Sequence, residues 1–313
     1  MRQSAEKVAA ILAVDIGATK IALGVVLSNL AIKPKEEFYI GEFSSDELWE
    51  QIAKTALTLV ELDNLSINGV GIASAGPIDV ASGTISPVNI KVWRNFPIVE
   101  KFKSIFNEVP IILIGDATAL AYAENRVGAG FGKENMLGVV VSTGVGGGLI
   151  LNNSLVLGDS GNAGFIGHQT INFEGKECSC GRKGCVEIYA SGPNMVTVAR
   201  SRGWNKGSNF AELAESARQG DEIAIDVIRQ GARSLAKSIV NTVGALDINT
   251  VVIGGGVSQA GDIYWNPLLE EIKDEAKYQN FLKDLEIMPA KLQRDAGLIG
   301  ASLAISDYGV IYE

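Results

Sequence analysis

Two stretches of this chain open in the same way, with an apolar run, a glycine turn and a second apolar run. The first is VAAILAVDI (8–16) and KIALGVVL (20–27) around GAT; the second is MLGVVVS (136–142) and GGGLILN (146–152). Their separation of about 125 residues is an internal repeat far longer than a solenoid period. Short β-rich runs, GVGIA (69–73), PIILIG (110–115) and NTVVIG (249–254), alternate with segments of helical period. Ser44-Ser45-Asp46-Glu47 offers a capping box to a helix carrying Leu48, Ile52, Ala56, Leu59 and Val60 on one face. Further helices are predicted over 97–107, from Asp116 to Gly128, near 191–202, 209–219, 221–244 and 264–278, and over AGLIGASLAIS. This alternation predicts an α/β fold with mostly parallel sheets. A chain of 313 residues suits two lobes better than one core. Two similar lobes facing each other would set the two glycine turns across one cleft. The lobes are expected at 1–118 plus 297–313 and at 119–296.

The formal charge of −9 argues against a nucleic-acid or anionic-membrane partner, because a phosphate backbone rewards dense Lys and Arg. No run of about 18 apolar residues exists, and the first 17 residues lack a signal-peptide cleavage pattern. The chain is therefore expected in the cytoplasm. Its three Cys and single His all lie between His168 and Cys185. An odd cysteine count suits a disulfide framework poorly. The spacing His168-x9-Cys178-x-Cys180-x4-Cys185 instead supplies a tetrahedral Cys₃His set, read as structural zinc.

Three glycine clusters sit at strand ends. In Asp15-Ile16-Gly17-Ala18-Thr19-Lys20, the backbone at Gly17 and the Thr19 hydroxyl suit phosphate oxygens, and Asp15 suits Mg²⁺. An ordinary hairpin turn explains the same residues. Ser142-Thr143-Gly144-Val145-Gly146-Gly147-Gly148 is not a Walker loop, since no Gly-Lys-Ser/Thr follows; its glycine density predicts a second phosphate cradle. Gly254-Gly255-Gly256 suits the close approach of an adenosine. Asp116, at a strand end, is either a general base for a substrate hydroxyl or a helix N-cap. Glu187, two residues past Cys185, is either a reader of sugar hydroxyls or a dipole-favoured start to a helix.

Together these motifs resemble the ROK family of sugar kinases and sugar-responsive repressors. The matching pieces are DIGATK (15–20), SAGPID (74–79), the Asp116 segment, STGVGGG (142–148), GNAGFIGH (161–168), CSCGRKGC-x-E (178–187), VVIGGG (251–256) and RDAGLIGAS (294–302). The resemblance implies a two-lobed, actin-like (ribonuclease H-like) kinase fold with a central cleft. It also implies transfer of the ATP γ-phosphate to a 6-hydroxyl, with glucose or N-acetylmannosamine as the expected sugar. It makes Asp116 the base and assigns Asp15, Thr19, Thr143 and Gly144 to phosphate and magnesium. Gly76, Asn89, His168 and Glu187 fall near the sugar, and a homodimer is the usual assembly. Two positions depart from the family's pattern. Gly115 stands where Asn usually precedes the base, and Phe165 where Glu usually stands three residues before the zinc His. Each lost polar partner costs about 1–3 kcal/mol if it served a buried hydroxyl. The alternatives are a sugar sensor without catalysis, motivated by these two positions, and a repressor. Only 14 residues precede Asp15, which is short for a DNA-binding domain.

Overall fold

The computed structural model describes residues 7–61 and 65–308. Residues 1–6, 62–64 and 309–313 lie outside the described residues, and with them both outer ends of the lobe expected at 1–118 plus 297–313. Contacts divide the chain into two compact units. Met1–Ala123, Leu157–Ala163 and Arg294–Glu313 form the first, and Glu124–Val156 with Gly164–Gln293 the second.

In the first unit, β1 (Val8–Ile16), β2 (Lys20–Leu27) and β3 (Ile32–Tyr39) make an antiparallel meander. Helix α1 (Ser45–Val60) leads to β4 (Leu65–Ser74), which pairs parallel with β1. A small hairpin of β5 (Ile78–Asp79) and β6 (Thr84–Ile85) follows, then α2 (Ile98–Lys103). β7 (Ile111–Gly115) pairs parallel with β4 and leads directly into α3 (Asp116–Val127). The sheet order is β3-β2-β1-β4-β7.

The second unit repeats this plan. β8 (Met136–Val141), β9 (Val145–Leu151) and β10 (Ser154–Val156) form its meander. Helices α4 (Glu187–Ala190), α5 (Gly192–Ser201), α6 (Phe210–Arg218) and α7 (Glu222–Leu246) precede β11 (Thr250–Gly254). Helix α8 (Asp262–Ala276) and β12 (Glu286–Pro289) complete it, in the order β10-β9-β8-β11-β12. The last helix, α9 (Ala296–Tyr308), belongs to the first unit. No helix among the described residues is long and apolar enough to cross a membrane.

The local signals behave as their chemistry dictates. Ser44 Oγ accepts the Glu47 N–H at 3.3 Å, and Glu47 Oε2 accepts the Ser44 N–H at 2.8 Å, closing the capping box of α1. Helix α2 is shorter than the predicted 97–107, and its continuation to Phe106 is made of hydrogen-bonded turns. Strand β3 carries no apolar alternation. IKPKEEFY holds a proline and four charges, which an edge strand tolerates because one side is unpaired. The segment Leu157–Ala163 is tied to the small hairpin by Asn162. Its Oδ1 accepts the Ile78 N–H at 3.0 Å, and its Nδ2 donates to Ile78 O at 2.6 Å.

The two faces of the first sheet differ in size. Leu12, Val14, Ile21, Leu23, Val70 and Ile72 join α1 residues Leu48, Ile52 and Leu59 in one core. The opposite face carries small residues, Ala13, Gly24, Gly71 and Ala73, and there α9 lies close. A Cβ at Gly71 would come within 2.2 Å of Ala301 O, and one at Gly300 within 2.0 Å of Ala119 O on α3. Gly300→Ala is therefore expected to destabilise the protein by about 1–3 kcal/mol through overpacking against backbone that has no room to yield. Urea denaturation checks this, and an unchanged midpoint would contradict so close a contact.

Candidate active site

In the first unit, β1, β4 and β7 run parallel and end together. Asp15 is in register with Ala73, and Ser74 with Gly115, so Asp15 and Asp116 share one carboxyl edge. This is the edge where open α/β sheets present their reactive groups. Asp116 Oδ1 accepts the N–H of the very next residue, Ala117, at 2.7 Å. An N-cap serves the second or third amide beyond it.

Asp15 is covered by the first turn of α9, where a Cβ at Gly297 would lie 2.3 Å from its Oδ2. Burial, then the Asp116 charge, push its carboxyl up to about 7, against the smaller opposing pull of Lys20 and Lys35. Those two ammonium groups have partners of their own, Glu37 at 2.8 Å and Asp295 at 2.6 Å. In the turn itself the Gly17 N–H donates to Lys20 O at 3.0 Å, and Thr19 is exposed. Gly76 O accepts the Val88 N–H at 3.2 Å, which brings the Gly76 and Asn89 turns side by side.

In the second unit, β8 and β11 also run parallel, with Val140 beside Gly254. Ser142–Gly146 and Gly254–Gly256 therefore leave the same sheet edge. Gly255 has φ +95°, and a Cβ there would meet Val141 O at 2.3 Å. Several glycines of the STGVGGG stretch and of the segment beside it face protein. A Cβ at Gly147 would lie 2.7 Å from Gly164 O, and one at Gly167 only 2.0 Å from Val145 O. Glycine density here lets the 164–168 segment lie directly on β9.

That segment delivers His168, whose ring is buried and packs 4.7 Å from the ring of Phe165. Phe165 is 40% exposed and lines a hollow of about 280 Å³ with Leu149, Ile166, Gln169, Thr242 and Leu246. Glu187 opens α4, and its Oε2 accepts the Val145 N–H at 3.0 Å. Glycines inside the GNAGFIGH and RDAGLIGAS motifs, quoted above without individual roles, thus shape each unit's residues: Gly297 over Asp15, and Gly164 and Gly167 under β9.

His168, Cys178, Cys180 and Cys185 place one ligand atom each within 4.8 Å of one another. His168 Nδ1 is 3.5 Å from Cys178 Sγ, and the Cys180 and Cys185 sulfurs are 3.7 Å apart. A zinc tetrahedron has S–N edges of about 3.6 Å and S–S edges of about 3.8 Å. All three cysteines are free thiols. Burial, then the neighbouring thiols, push the Cys185 thiol up to about 12. The donor types and edge lengths fit zinc, which these four residues would hold.

The ROK family model matches residues 11–307. The chain belongs to the ROK family. An N-acetylmannosamine kinase of Yersinia pestis (strain Pestoides F) is 33% identical over 93% of this chain and 97% of its own length. Among solved structures, a ROK family glucokinase from Streptomyces griseus in complex with glucose and AMPPNP superposes with TM-score 0.79 at 30% identity. That match covers 94% of this chain and 98% of the glucokinase. A ROK hexokinase from Thermus thermophilus gives 0.81 at 31% identity, over 95% of this chain and 99% of the hexokinase. The fold is the two-lobed, actin-like ATPase fold of these ROK kinases, and the repeated sheet order is its signature in this chain.

Two measurements follow. Unfolded, Asp15 loses its proton near its ordinary value of 3.8; folded, it keeps it to about 7. The group thus removes stability as pH rises between those values. Asp15→Asn is expected to raise Tm at pH 8, by about 1–2 °C for each kcal/mol relieved, and to leave Tm at pH 4 nearly unchanged. Equal shifts at both pH values would contradict a raised Asp15. Removing metal with a chelator is expected to open the 170–186 loop to protease and lower Tm. An equally resistant, metal-free protein would exclude structural zinc.

Proposed function

We propose that this chain is an ATP-dependent kinase for the 6-hydroxyl of a hexose or N-acetylhexosamine, with Asp116 as general base. The coarser statement, a sugar phosphotransferase, rests on ROK membership and the named kinases it resembles. The observation that carries the finer one is Asp116 at the head of α3, level with Asp15 at the strand ends.

The sugar hydroxyl gives its proton to the Asp116 carboxylate as its oxygen attacks the γ-phosphorus, and ADP leaves with the bridging oxygen. Asp15 would hold magnesium, directly or through water, while Gly17, Thr19 and Lys20 would face the phosphates. Magnesium, when bound with the nucleotide, neutralises charge on the β- and γ-oxygens. Thr143, Gly144 and Gly146 would face the phosphates, and Gly254, Gly255 and Gly256 the adenosine. Gly76, Asn89, His168 and Glu187 would hold the sugar. His168 turns Nδ1 to the thiols, which leaves Nε2 for a hydroxyl.

N-acetylmannosamine stands first among the sugars. Named relatives act on it, and the exposed ring of Phe165 offers an apolar face to an acetyl methyl. Gly115 gives no side-chain polar group next to the base. The same reading takes zinc as structural, a homodimer as the assembly, and the cytoplasm as the location.

Asp116→Ala is expected to keep nucleotide affinity and lose about 10²–10⁴-fold in turnover. The assay is ADP release with ATP–Mg²⁺ against N-acetylmannosamine, glucose, N-acetylglucosamine and mannose. Near-wild-type turnover in the variant would remove Asp116 as base. Silence of the wild-type protein on all four sugars, with sugar still bound, would favour the sensor.

A further inference from the structure

Glu187 makes a contact that sugar recognition does not require. Its Oε2 accepts the Val145 N–H at 3.0 Å. The same oxygen lies where Gly144 lacks a side chain, 2.6 Å from the position a Cβ would take. Two residues upstream is Cys185, a member of the metal set, and the Val186 N–H is fixed on Gln169 O at 3.1 Å. Downstream, Asn194 Nδ2 donates to Glu187 O at 3.1 Å and to Ser191 Oγ at 2.8 Å. The Gly192 N–H then donates to Ser142 O at 2.9 Å. The start of α4 and the start of α5 thus hold the 142–148 loop at Val145 and Ser142, with Glu187 lying against Gly144. One of those contacts is a carboxylate accepting a backbone amide, about twice the strength of a neutral bond.

We infer that Glu187 is a positioning residue for the phosphate loop, and that through it the metal-bound segment sets the loop's shape for nucleotide. This rests on the reading above that the 142–148 loop receives phosphate. With the Val145 N–H turned to Glu187, the Thr143–Gly146 backbone is held in one arrangement before nucleotide arrives, so binding need not order it. Oε1 of the same carboxylate has no protein partner among the described residues and remains for a sugar hydroxyl. One side chain then serves both substrates. It is also the reason that position 144 is glycine, independent of any phosphate contact.

The test is the affinity for AMPPNP–Mg²⁺ measured calorimetrically without sugar, on wild type, Glu187→Gln, Glu187→Ala and Gly144→Ala, with Tm recorded for each. Glutamine keeps an oxygen that accepts from Val145, so E187Q is expected within about threefold of wild type, whereas E187A weakens nucleotide about tenfold or more. Gly144→Ala displaces the carboxylate, so it is expected to weaken nucleotide in the wild-type background and to add little to E187A. Unchanged nucleotide affinity in a folded E187A, or additive effects of the two substitutions, would overturn the inference. If E187A does not fold, wild-type affinity in G144A does the same. A wild-type protein that binds no nucleotide would instead overturn the kinase reading on which this rests.

Discussion

Close approach of one backbone to another, possible only where side chains are absent, is the constraint on which both units depend. In the first, the small-residue face of the sheet lets α9 settle against β4 and α3, through Gly71 and Gly300. That settling brings the first turn of α9 over Asp15, with Gly297 as the point of contact. The helix both completes the core and withdraws water from a carboxylate. In the second, Gly147, Gly164 and Gly167 let the segment leading to His168 lie on β9 without an intervening side-chain layer. Any larger residue at these places would push a functional group outward by the width of a methyl.

Desolvation turns that packing into chemistry. Asp15 holds its proton to about 7 because burial and the neighbouring Asp116 both disfavour its charge. A divalent cation at that spot would relieve the same imbalance. The Cys₃His set offers softer atoms. Its ring nitrogen and sulfur atoms stand at edge lengths matching a zinc tetrahedron.

Much of the fold was legible because its signals are local. The capping box at Ser44 and Glu47, the helix following Asp116, the repeated strand–turn–strand units and the metal spacing all depend on neighbours within about 20 residues of chain. Strand β3 was not legible, since its charges and Pro34 fit a strand only once it lies at a sheet edge. The glycine clusters were legible as special, but what lies against each of them was not. Density at 144–148 reads as a phosphate cradle, and the structure adds that Gly144 faces Glu187 and Gly147 faces Gly164 O. A sequence shows that a side chain is missing but not what occupies its place.

By itself, then, the sequence determined the α/β class, the twofold repeat, the clustering of every cysteine with the single histidine, and the carboxylates at strand ends. These follow from periodicity and from short-range spacing, which act before any long-range contact forms. The tertiary structure decided that Asp15 and Asp116 share one sheet edge, that α9 closes over Asp15, and that Glu187 reaches back 42 residues to the Val145 amide. Each of these depends on parallel pairing or helix docking between distant segments. The free energy of such contacts comes from burial in the assembled core, so no single stretch of chain encodes them.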